Sequence, residues 1–286
     1  MMKMMKRKNP KIQLKKGEAI TSVLQPSVAN RIQYQRLILL LINAMHKSVI
    51  AAIKSKYQNH KSRIANDERP AEAFKKLISS LRKQWEGRFG DKSQTITEQF
   101  INGVLKHNEN AFRRMLKKED LEFKFKPNQH LKDVMQAAAE ENVGLIKSIP
   151  SQYFDQINTL VMNTVLQGSN LNELSTELTK RYNITRKRAE FIAADQNDKL
   201  SAVINRTRCE EIGINEAIWV HSPRRENARP SHLEANGKRF SLSEGMELDG
   251  KQTWPGQEIN CHCTFKPIIP INNNASRIPD KVKQET

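Results

Sequence analysis

RAEFIAADQNDKLSAVINRTRCEEIGINEAIWV, residues 188–220, decides the fold. Ala189, Ile192, Ala193, Leu200 and Ile204 recur at helical spacing, and Thr185 is a candidate cap before them. The pattern stops at Gly213, a residue type that accepts the left-handed conformation found where helices end. Beyond it the character changes. IWV (218–220), KRF (238–240) and CTFKPII (263–269) are short, β-prone and separated by Pro, Gly and Asn. The stretch is the border between helices and a small α+β module, residues 213–270.

Reading back from this border, helical pattern dominates. Asn170 caps a short helix with Leu171, Leu174 and Leu178 on its apolar side and Glu173 three residues on. Ile157, Leu160, Val161, Thr164 and Val165 form a stripe closing at Gly168, and the pattern from Leu131 to Lys147 stops at Pro150. LEFKF (121–125) alternates like a short extended piece. Ile96, Phe100, Val104, Leu105, Phe112 and Met115 lie on one helix. Phe74, Leu77, Ile78, Leu81 and Trp85 lie on another, started by Pro70 and ended by Gly90. Residues 58–69 read as a polar linker. Before them, Ile32, Leu37, Leu40, Leu41, Ala44, Val49 and Ile53 mark a helix over 28–57. The expected fold is mainly α: an elongated helical body, 28–212, with a small C-terminal α+β module, 213–270. A basic disordered arm, 1–27, precedes them and a polar disordered tail, 271–286, follows.

The net charge of +17 is unevenly spread. Residues 1–63 hold 14 Lys/Arg against one acid, Glu18, a surplus of +13 that leaves +4 for the remaining 223 residues. Such a concentration points to a polyanionic partner, whether nucleic acid, an acidic protein surface or anionic lipid, the alternative being a merely solvated basic tail. Lys3, Lys6, Arg7, Lys8, Lys11, Lys15 and Lys16 are the candidate contacts to phosphates if the partner is nucleic acid. The first residues are basic but have no apolar run of a secretion signal. LILLLI (37–42) is bracketed by Arg36 and Lys47 and reads as a buried helix face, so no membrane partner is expected. Three cysteines, Cys209, Cys261 and Cys263, do not make a disulfide framework. No phosphate-binding loop, dinucleotide fingerprint, HExxH or GxSxG occurs, so no enzymatic activity is expected.

RPSHLEANGKRF (229–240) and WPGQEINCHC (254–263) carry the chemistry. On an extended segment alternate side chains share a face, so Cys261 and Cys263 point the same way. Two thiolates on one side begin a tetrahedral zinc site. His232 is the candidate third ligand, and His221 or a water the fourth. The alternative is two small half-buried hydrophobes beside a histidine bonded to backbone. Arg229 and His232, with Asn260, could also form an anion-binding or structural box, Arg229 otherwise pairing with Glu226 or Glu234. His232, Asn260 and His262 match the residue types of His–Asn–His nucleases, but Pro267 and Pro270 close the chain before the frame such sites need.

At these residues the sequence resembles the phage Mu F-like minor head protein family, also called the phage head morphogenesis domain. Three features carry the resemblance: Arg229, Pro230, Ser231 and His232 followed by Gly237; the turn from Pro255 to Asn260, Cys261 and Cys263; and the long helix leaving through Trp219. ENVGLIKSIPSQYFDQINTLV (141–161) and the Gly168 turn are similar to the family's helical part, so the resemblance spans about 90–268. Two departures stand out. His262 replaces the arginine usual between the cysteines, leaving open an extra ligand or a lost contact. Ile192-Ala-Ala-Asp195-Gln196 replaces an IARTE-like segment. The resemblance implies a minor capsid protein of a tailed double-stranded DNA phage, in few copies, in the head interior after assembly in the host cytoplasm. It implies partnership with the portal, packaged DNA, and capsid or scaffold protein. The competing classes are a nuclease or toxin-like transferase using Arg229 and His232, and a DNA-binding module unrelated to virions.

Overall fold

The computed structural model describes residues 14–62, 70–119, 128–167, 171–222 and 229–270. Four long helices, α1 (Val28–Ser62), α2 (Pro70–Lys118), α3 (Gln129–Gln167) and α4 (Leu171–Glu211), precede a short one, α5 (Pro230–Ala235). Six short strands accompany them: β1 (Glu18–Ile20), β2 (Glu216–Val220), β3 (Arg239–Ser241), β4 (Met246–Leu248), β5 (Lys251–Thr253) and β6 (Thr264–Pro270). The fold is mainly α, with the strands other than β1 in a small C-terminal region as expected. It divides into two compact units. One comprises residues 28–102 and 136–194, the other 1–27, 103–135 and 195–286, so α2, α3 and α4 each contribute to both.

The described residues of the first unit are all helical. In α1 the buried stripe is Tyr34, Ile38, Ile42, Met45, Val49 and Ile53, spaced by three and four. The expected stripe was misplaced in its first half, because Ile32 and Leu40 are more than half exposed. By length and composition alone, Val28–Gln58 would suffice to cross a membrane; here its apolar stripe is buried in the unit. Tyr34 stacks on Phe100 at 4.1 Å and donates to Asn142 at 2.8 Å, while His46 stacks on Tyr182.

Two expected breaks are absent. Gly90 does not end α2, because the buried stripe Phe74, Ile78, Leu81 and Trp85 continues through Phe89, Ile96 and Phe100. Pro150 does not stop α3: it costs one ladder bond, but Ile146, Ile149, Tyr153, Phe154 and Ile157 stay buried on both sides of it. Nor does a new helix start at Thr185, whose hydroxyl donates back to the Arg181 carbonyl inside α4. The expected Asn170 cap, the Gly168 turn and the extended piece 121–125 lie outside the described residues.

The second unit holds the sheet, in the order β1-β6-β2-β3, with every pairing antiparallel. α4 ends where expected. Gly213, at φ +77, donates to the Glu210 carbonyl and Ile214 to that of Cys209, turning the chain into β2. Residues 18–20 correct the expected arm: they pair with Ile268, Ile269 and Pro270, and Thr21 donates to the Pro267 carbonyl at 3.0 Å. Arg239 binds Glu18 at 2.8 Å and Glu216 at 2.6 Å. The core of this unit joins Leu24, Phe112, Met115 and Leu116 to Trp219, Phe240 and Phe265.

Candidate metal centre

Three segments of the second unit meet at one buried point. β2 delivers Trp219 and then His221, whose backbone N–H donates to Asn236 Oδ1 at 2.9 Å. Pro230 starts α5 at a position where its missing N–H costs nothing, and two residues later His232 is 2% exposed. The third segment turns at Gly256 (φ +81) and Asn260 (φ +63) before running extended through Cys261 and Cys263 into β6. A Cβ on Gly256 would lie 2.9 Å from that of Ala202, so only glycine fits.

The expected alternation holds. Ligand atoms of His232, Cys261 and Cys263 lie within 4.8 Å of one another, all three side chains buried. His232 Nδ1 is 3.4 Å from Cys261 Sγ and 3.7 Å from Cys263 Sγ. With Zn–S near 2.3 Å and Zn–N near 2.0–2.1 Å, a tetrahedral S–Zn–N edge is roughly 3.6 Å, so the donor set is compatible with zinc without rearrangement. His221 Nδ1 stands 3.7 Å from Cys263 Sγ. The Cys263 side chain, then His232 and the backbone N–H groups of Cys263 and Gly256, hold the Cys261 thiol well below its usual value against the cost of burial. Cys261 and burial push Cys263 the other way. A bound dication would favour the thiolate forms and displace thiol protons. Cys209 is buried on α4 and its thiol is raised by burial.

Around this point the box residues meet carboxylates and backbone of the same unit. Arg229 pairs with Glu258 at 3.2 Å and donates to the Ile259 carbonyl at 3.2 Å. Among the described residues its carboxylate partner is Glu258 and not Glu234; Glu226 lies outside the described residues. Lys251 holds the other Glu258 oxygen at 2.6 Å. His232 Nε2, buried without a hydrogen bond, faces Glu258 at 3.7 Å. Asn260 places its N–H 2.5 Å from Asp195 Oδ1. His262 Nδ1 pairs with Asp198 at 2.5 Å, and His262 is not part of the cluster that joins His232 to the two thiols. Glu258, Asp195 and Asp198 were not anticipated; only the position of Glu258 inside the Cys-X-Cys segment hinted at it. Of the candidate DNA contacts, Lys15 and Lys16 are exposed, and Lys3, Lys6, Arg7, Lys8 and Lys11 lie outside the described residues.

Residues 155–266 match the family described as Phage Mu protein F like protein, a segment containing the whole box and both cysteines. The expected match from residue 90 is thus confined to the part from 155 onward. That family is one of phage head morphogenesis. An uncharacterized protein of Haemophilus influenzae is 29% identical over 214 residues, covering 74% of this chain and 47% of that protein. The chain therefore spans about half the length of this relative. No solved structure matches.

Proposed function

We propose that the chain is a minor head protein of a tailed double-stranded DNA phage, assembled into the head interior from the host cytoplasm, where it joins the portal and contacts packaged DNA. The observation that carries this reading is the family match over 155–266, with the box built into an internal support. Arg229 and His232 both face Glu258, which favours a structural over a catalytic use. The low charge surplus beyond residue 63 suits a protein partner for the helices, and the basic arm suits DNA. Zinc belongs to the same reading, held by His232, Cys261 and Cys263 and tying α5 to β6.

Co-expression with the cognate portal tests the proposal. The complex is expected to survive moderate salt and the removal of residues 1–13. That deletion stops short of β1, so the fold stays intact. It removes five basic candidates, and the slope of log DNA affinity against log salt is expected to fall by up to about 4–5. No complex with an assembled portal would overturn the head-protein reading; an unchanged slope would remove the arm from DNA contact.

A further inference from the structure

We propose that the Cys261–Cys263–His232 site is a closed four-ligand centre with His221 as its fourth ligand, and that Glu258 orients His232 within it. This rests on the zinc reading above and deepens it. A zinc ion with three protein ligands keeps a position open for water and chemistry; a fourth protein ligand closes it and makes the ion structural. Three of the four S···N distances around the thiols fit a tetrahedral edge of roughly 3.6 Å: 3.4 Å and 3.7 Å from His232, and 3.7 Å from His221 to Cys263. His221 stands outside the cluster of His232, Cys261 and Cys263, whose ligand atoms all lie within 4.8 Å of one another, so its ring has to move inward to complete the set. His221 is also placed by the helix that carries His232. Its N–H is bound by Asn236, the residue that caps the end of α5.

The surroundings of His232 point the same way. A histidine bound to metal through Nδ1 must carry its proton on Nε2, and that N–H normally finds a carboxylate or carbonyl. Here Nδ1 faces both sulfurs, and Nε2 is a buried atom without a hydrogen bond, aimed at the Glu258 carboxylate 3.7 Å away. Closing that gap gives the Nε2 proton its acceptor and fixes the tautomer that ligation needs. Glu258 is itself held from two sides, by Lys251 and Arg229. In this arrangement the Arg–His pair is one device: His232 binds the ion, and Arg229 positions the carboxylate that positions His232.

Cobalt(II) substitution in the full chain reads the ligand set directly. The unmodified protein is expected to take up one cobalt per chain, with the intense visible bands of a tetrahedral site and charge-transfer absorption from two thiolates. His221→Ala should still bind cobalt but lose band intensity and become open to added cyanide. His221→Cys should restore the tetrahedral bands with stronger thiolate charge transfer, which a merely structural histidine would not produce. Glu258→Gln should weaken metal retention against a chelator by about 10–100-fold. Cobalt spectra that are the same in His221→Ala as in the unmodified chain would overturn the fourth ligand while leaving the zinc reading standing. Unchanged retention in Glu258→Gln would overturn the orienting role. No uptake of zinc or cobalt by the unmodified chain would overturn both this proposal and the zinc reading.

Discussion

Asn260 holds φ +63, a backbone region open to glycine and asparagine but costly for branched side chains. That turn aims Cys261 and Cys263 at His232. Asn260→Gly is therefore expected to be nearly neutral. Asn260→Val should lower stability by about 1–3 kcal/mol and loosen metal retention, measurable by thermal unfolding and a chelator titration. A second residue-scale prediction concerns acid. The hydrogen bond from Arg239, then the Lys15 backbone N–H, hold Glu18 down to about 2, and Arg239 also lowers Glu216. Carboxyls depressed in the folded state stabilise it fully above their ordinary value, near 4.3, and lose that contribution as pH falls toward about 2. Hydrogen exchange at the Thr21 amide, which bonds Pro267, should accelerate across this window, and Glu18→Gln should flatten the dependence. A dependence identical in the variant would show that the Glu18–Arg239 pair does not secure β1.

At the scale of elements, α2 runs through Gly87 and Gly90, and neither glycine has an atom within 4 Å of where a Cβ would stand. Each lowers helix stability by up to about 1 kcal/mol relative to alanine. Gly87→Ala and Gly90→Ala should each raise stability by about 0.5–1 kcal/mol in denaturant titrations; a loss at either position would mean that the glycine has a packing role. The same helices show what was legible in the sequence. Pro70, Gly213 and the stripes 74–85 and 189–204 were readable, because their chemistry is local. Gly90 and Pro150 misled, because burial on both sides of them outweighs a local cost of one residue. In LILLLI the apolar residues surround the helix, so periodicity could not choose the face that holds Ile38 and Ile42. The thiol pair and His232 followed from strand alternation and residue chemistry. The Asp198–His262 and Arg229–Glu258 contacts join segments far apart in sequence, and no spacing encodes them.

At the scale of the molecule, the unit that holds the candidate metal site is discontinuous. Its core takes Leu24 from before α1, Phe112, Met115 and Leu116 from α2, and Cys209 from α4. A fragment of residues 210–270 has the candidate ligands but none of these packing partners. It should stay unfolded by circular dichroism even with zinc present; a cooperative unfolding transition in that fragment would show the core to be more local than described. The pairing of β1 with β6 bears also on synthesis. The Thr21 hydroxyl meets the Pro267 carbonyl across 246 positions. At ribosomal rates of about 5–20 residues per second, β1 waits roughly 12–50 seconds for its partner strand. During that interval Ile20 and Leu24 have no β6 to cover them, so the strand made first waits for the strand made last before their edges pair.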